Sequence, residues 1–187
     1  RMDWNELVEK MEKSIKKHKS DFIYEAFTKA FEGLPQGFSY TGSYVENEIL
    51  QLISKVKASN SGTSITIVGT EEALAKLQGV SANLMSDKMK QEFNDKGFLT
   101  TWKTYKCVAL PTVFQENTFE FAFDNNAVYV LPTDVKPVKL INEGDVYISE
   151  TDTLDGNKDM TRERAVIWRM GAGVIFNKLF GKITINS

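Results

Sequence analysis

The chain has 187 residues, of which 42% are apolar and 26% charged, and a formal net charge of -2. That length suits one large domain or two small ones and can bury a core, and the supply of aromatic and β-branched residues excludes global disorder. No apolar run approaches the roughly 20 residues of a membrane helix, the polar start carries no secretory signal, the single Cys107 excludes an internal disulfide or a thiolate zinc cluster, and the near-neutral charge leaves no global basic footprint for nucleic acid.

The chain opens Arg1-Met2 where a natural start would be Met, which reads as a trimmed or cleaved product with N-terminal sequence missing. The first segment predicts a long amphipathic helix from Asp3 to Phe31, with Trp4, Leu7, Val8, Met11, Ile15, Phe22 and Ala26 on its apolar stripe. Asp3 and Glu6 suit a capping box, and Gly33, Pro35 and Gly37 end the helical region. At 1.5 Å per residue such a helix would be on the order of 40 Å long, which suggests an elongated subunit. Its outer face carries Lys10, Lys13, Lys16, Lys17 and Lys19, a solvated face or one turned to other subunits or a polyanion.

Ser39 to Ser43 reads as a polar turn before a second helix with the stripe Val45, Ile49, Leu52, Ile53 and Val56. Ser64–Val68 alternates as a strand; Thr70 is placed to cap the next helix, which turns Leu74 and Leu77 inward. Ser86 caps a further helix with Met85, Met89 and Phe93 on one side and Gly97 as its stop. Strands are then expected at Phe98–Thr104, Lys106–Leu110, Thr118–Phe123 and Ala127–Leu131. Beyond Pro132 and Pro137, Val138–Ile141 and Asp145–Glu150 lead to Asp155-Gly156, a hairpin signal, and a return strand from about Met160 to Met170. Charges on both faces of that return strand mark a projecting ribbon. Gly171, Gly173 and Gly181 punctuate the last strands, with a packing or bulge role expected for the first two.

Chemistry is sparse. The one histidine, His18, sits in the lysine-rich helix and reads as a solvated surface group, and Cys107 reads as a buried, inert thiol. Val68-Gly69-Thr70 could set an anion on a helix N-terminus, but the phosphate-binding glycine patterns are absent. Asp124, Asp134 and Lys136 loosely match a metal-dependent nuclease core. No catalytic, metal or cofactor set is otherwise expected, and a structural protein is the reading.

An ordered series of segments carries a resemblance. Ile65 to Thr70 followed by Ala73, Leu74 and Leu77 forms a strand-helix unit, and Met89 through Phe98 leads into Trp102–Lys106 and Val108–Pro111. Asn126–Pro132 supplies a further strand; Val138–Ile141, Glu143–Val146, Asp159–Thr161, Gly171–Phe176 and Phe180–Ile183 complete the order. From about Gly62 to the end this series resembles the major capsid proteins of tailed bacteriophages and prophages with the HK97-like fold, with Lys106-Cys107 standing where that family has small residues or proline. The first helix fits the family's spine helix, and the family's N-terminal arm and E-loop, which precede it, are not in this chain.

The resemblance implies an α+β fold with a long spine helix, a projecting β-hairpin in a peripheral (P) domain, and an axial (A) domain whose central sheet is flanked by helices. Residues 1–37 and 138–172 would form the P-domain, and residues 38–137 with the return strands 173–187 the A-domain. It implies self-assembly into pentamers and hexamers of an icosahedral head, non-specific enclosure of double-stranded DNA, help from a scaffold or maturation protease, assembly in the bacterial cytoplasm and no membrane. Glu150, Asp152, Arg162, Glu163, Arg164, Trp168 and Arg169 are the expected subunit-interface residues, with Tyr147 as a further aromatic anchor. An encapsulin-like shell around protein cargo is the alternative on the same fold; the nuclease is the alternative of another class.

Overall fold

The structure, a computed structural model, describes residues 4–79, 85–115, 118–133, 135–136, 138–150, 164–174 and 178–186. Its elements run α1 (Trp4–Ala30), β1 (Ser39–Gly42), α2 (Glu46–Ser59), β2 (Ile65–Gly69), α3 (Glu71–Gln78), α4 (Asp87–Lys96), β3 (Thr101–Trp102), β4 (Tyr105–Ala109), β5 (Ala127–Pro132), β6 (Val138–Glu150), β7 (Arg164–Val174) and β8 (Gly181–Ile185). Six strands form a mixed sheet in the order β1-β8-β5-β2-β4-β3, and β6 and β7 form a separate two-stranded ribbon.

The sheet separates two apolar layers, and β5 shows why. All six of its residues are buried, so both faces must be covered. Val128 and Val130 face one cluster with Ile49, Ile53 and Val56 of α2 and Leu74 and Leu77 of α3. Ala127, Tyr129 and Leu131 face the other, with Phe27, Ala30 and Phe31 at the C-terminal end of α1. The molecule is therefore α2 and α3 on one face of the sheet and α1 on the other. Phe27 and Phe31 lie 4.9 and 4.6 Å from the Tyr129 ring, in the edge and tilted arrangements that aromatic quadrupoles favour.

The caps predicted at Thr70, Ser86 and Gly97 are formed. Thr70 accepts a hydrogen bond from the Ala73 amide at 3.3 Å, Ser86 accepts one from the Met89 amide at 3.4 Å, and Gly97 stops α4 at φ 76°. Two buried amides fix the connections. Gln78 donates to the Leu99 carbonyl at 2.6 Å and accepts from the Leu99 amide at 2.7 Å, standing in for one rung of a β-ladder. Asn60 does the same for Leu179, donating at 2.7 Å and accepting at 3.1 Å, which ties the end of α2 to the approach to β8.

Several expectations are corrected. Ser39–Gly42 is an edge strand, paired in parallel with β8, not a polar turn: covered on one side only, it needs no apolar run. Thr118–Phe123 is not a strand; a lone bridge joins Phe114 to Phe121 across a tight chain reversal. Phe98–Thr104 contributes two strand residues only, because Lys103 turns the chain at φ 54°. Val138–Ile141 and Asp145–Glu150 are one strand, broken in register between Glu143 and Tyr147 where Gly144 takes φ 73°. Gly171 and Gly173 lie inside β7 in regular register with nothing within 4 Å of where a Cβ would stand, so neither a bulge nor a close approach requires them. On α1, Phe22 is exposed while Phe27 and Ala30 are buried, with Phe31 buried just past the helix end; before the start of α2, Val45 is exposed too. Asp3 and Asp155-Gly156 lie outside the described residues.

Candidate subunit interface

The β6–β7 ribbon begins at the body. Val138 and Val174, directly opposite each other, pack partly against the cluster that holds Phe27 and Phe31. Beyond them the strands pair antiparallel out to Glu150 and Arg164. Directly opposed residues share a face, and alternate residues along a strand return to it. Ile141–Gly171, Glu143–Arg169 and Tyr147–Ile167 thus line one face.

That face is uncovered. Ile141 is 62% exposed, Tyr147 65% and Ile167 53%, and Glu143 and Arg169 between them are exposed as well. An apolar pair, Tyr147 against Ile167, lies beside an opposed acid and base, with a further isoleucine beyond. Such an arrangement has apolar area to bury against a partner and opposite charges to set its register.

Of the expected interface residues, Arg169 lies on this face opposite Glu143, Trp168 is its neighbour in β7, and the backbone register sets Glu150 opposite Arg164. Asp152, Arg162 and Glu163 lie outside the described residues. Ile141 and Ile167 were missed. In sequence they look like ordinary strand residues, and the pattern gives no sign that their face of the ribbon is exposed.

The other candidates separate in space. Asp124 and Lys136 flank opposite ends of β5, whose six residues span roughly 20 Å, so they cannot share a metal, and Asp134 is outside the described residues. The Asp124 carboxylate accepts from the Asn126 amide at 2.8 Å, a turn-capping role. Among the described residues no group of three or more His, Cys, Asp or Glu side chains could hold a metal ion. Cys107 is buried in β4, and burial pushes its thiol above the ordinary range, away from nucleophilic use. His18 is half-buried on α1. At the α3 N-terminus the Thr70 hydroxyl is taken by the Ala73 amide, and Glu71 and Glu72 oppose an anion there. No helix among the described residues is long and apolar enough to cross a membrane.

Compared with known proteins, residues 1–184 match a family model described as "SPbeta prophage-derived putative capsid protein YonB". No curated protein matches the chain.

Proposed function

The chain belongs to the prophage-derived YonB capsid-protein family, and we propose that it is the repeating subunit of an icosahedral phage head, assembled from many copies of itself around double-stranded DNA. The observation that carries the reading is the open face of the ribbon, where Ile141, Tyr147 and Ile167 stand exposed beside Glu143 and Arg169. A monomer gains nothing from such a face, whereas a shell subunit needs apolar anchors with charges that reject wrong registers.

The architecture favours an HK97-like arrangement. A helix of 27 residues packs its C-terminal end on one face of the sheet, a two-stranded ribbon leaves the body beside the helix, and the six-stranded sheet with α2 and α3 makes the remaining bulk. In this reading residues 1–37 and 138–172 form the P-domain and residues 38–137 and 173–187 the A-domain. A-domains meet around the five- and six-fold axes of pentamers and hexamers, and ribbon tips meet near three-fold positions. A closed shell makes contacts that are individually weak act together. A scaffold or maturation protease fits the same scheme, with assembly in the host cytoplasm and residence in the virion. Bond chemistry has no part in it; geometry and interface energy do the work.

Negative-stain electron microscopy of the expressed protein tests this. Closed particles of uniform diameter are expected. Ile167→Asp should abolish them without lowering the melting temperature, because this exposed side chain is not part of either core cluster. Wild-type protein that stays dispersed across salt and protein concentrations, with and without co-expressed phage proteins, would refute the shell reading; shells from Ile167→Asp would refute the role of the ribbon face.

A further inference from the structure

A second surface, outside the ribbon, has the marks of a docking site. The chain reverses between Val113 and Ala122, held by the Ala122 amide on the Val113 carbonyl at 2.9 Å and the Gln115 amide on the Glu120 carbonyl at 2.8 Å. The Gln115 side chain also donates to the Phe121 carbonyl at 3.3 Å. Three phenylalanines flanking these bonds face solvent. Phe114 and Phe121 stack at 5.1 Å, Phe119 meets the Phe114 edge at 6.2 Å, and Phe119 is 93% exposed. Such a cluster of exposed aromatic rings on a hydrogen-bonded frame is a mark of an interface.

Beside it runs a groove, with Gln115 and Ala122 of the reversal on one wall and, on the other, Asp21 and Glu25 of α1 and Glu32 just past its end. Among the described residues Lys29, already paired with Glu25, is the one cation in its lining, and the lining is acidic. One Asp21 carboxylate oxygen is shut off from water and has no hydrogen-bond partner among the described residues. A carboxylate so placed gains from an incoming cation.

We infer that this aromatic patch and its acidic groove dock a second copy of this chain. The identity of the partner rests on the shell-subunit reading above, in which copies of the chain are each other's commonest neighbours. Charge complementarity supports the choice: the first half of α1 exposes Lys13, Lys16 and Lys17, opposite in sign to the groove lining on its second half. The two surfaces differ, so the contact is head-to-tail, the type that closes into rings. The rings would seat against apolar surface of the neighbour while its basic groups enter the groove.

The test is sedimentation velocity of the full chain over a wide concentration range, in the wild type, Phe119→Asp and Asp21→Asn, and repeated in the Ile167→Asp background where closed shells are not expected. Concentration-dependent association is expected. Phe119→Asp should weaken it tenfold or more, Asp21→Asn severalfold with a smaller salt dependence, and neither should move the melting temperature. A chain that stays monomeric throughout, or a Phe119→Asp variant that associates like the wild type, overturns the inference. So does a monomer that instead binds phosphatidylcholine vesicles through Phe119. The two readings fail separately: Phe119-dependent oligomers without shells sink the shell subunit and keep this contact, while normal shells from Phe119→Asp do the reverse.

Discussion

Tyr129 shows what burial does to a single titrating group. Its ring is enclosed by Phe27 and Phe31, and burial, with a smaller push from the Asp124 carboxylate, raises its hydroxyl to about 12. The folded protein therefore holds this proton more tightly than the unfolded chain, whose tyrosines titrate near 10. Stability linked to Tyr129 is complete below pH 10 and is lost as pH rises from 10 through 12, because the unfolded state releases its proton first. The loss amounts to on the order of 2–3 kcal/mol. Urea unfolding from pH 9 to 12 checks it: Tyr129→Phe should flatten that part of the decline relative to the wild type, and titration at 295 nm should find one late phenolate in the wild type that the variant lacks. Two parallel profiles would show that Tyr129 ionises as an ordinary tyrosine. Cys107 follows the same physics and was readable in advance, since an apolar strand around a thiol implies both its burial and its inertness. The roles of Asn60 and Gln78 were not. Each bonds to backbone far along the chain, Leu179 and Leu99, and no local pattern encodes such a partner.

At the scale of elements, Gly181 decides how closely α2 can approach β8. A Cβ there would stand 2.7 Å from Leu52 Cδ2 and 3.0 Å from Val56 Cγ2. Gly181→Ala should cost about 1–3 kcal/mol through overpacking, and Leu52→Ala in the same chain should recover part of it by opening the space. Chemical denaturation of the two single variants and the double variant checks both signs; an unchanged midpoint for Gly181→Ala would mean the helix can shift freely. The sequence marked Gly181 as punctuation without the reason, because the reason is a side chain some 130 residues earlier. Helices and caps were read well, since α2, α3 and α4 declare themselves through local period and capping chemistry: Ile49, Leu52, Ile53 and Val56 recur at helical spacing, and Thr70 and Ser86 sit three residues from the amides they cap. Edges and reversals were read poorly. Ser39–Gly42 is polar yet a strand because β8 supplies its hydrogen bonds, and Thr118–Phe123 is strand-like in composition yet finds a single bridging partner. The α1 stripe was read in part: Met11, Ile15 and Ala26 are half-buried as expected, Phe22 is exposed, and the fully buried contacts fall at Phe27 and Ala30, near the end of the helix.

For the whole molecule, the body and the ribbon divide stability from assembly. Among the described residues, neither core cluster includes a ribbon residue among its buried members; Val138 and Val174 border one of them, at the ribbon's base. Those two residues face each other across the ladder, so their backbones are already about 5 Å apart. Replacing residues 140–172 with Asn-Gly, between Lys139 and Gly173, would close the chain with a two-residue turn matched to the twist of the strands. The six-stranded sheet loses no strand by this change. The shortened chain should fold cooperatively and melt within a few degrees of the wild type, while closed shells disappear because Ile141, Tyr147 and Ile167 are gone. Circular dichroism melts and electron microscopy of the same preparation check the two halves. A shortened chain that fails to fold would show that the ribbon also holds α1 in place, against which both its strands lie; one that folds and still builds shells would move the assembly contacts to the body, with the phenylalanines around Phe119 the surface to alter next.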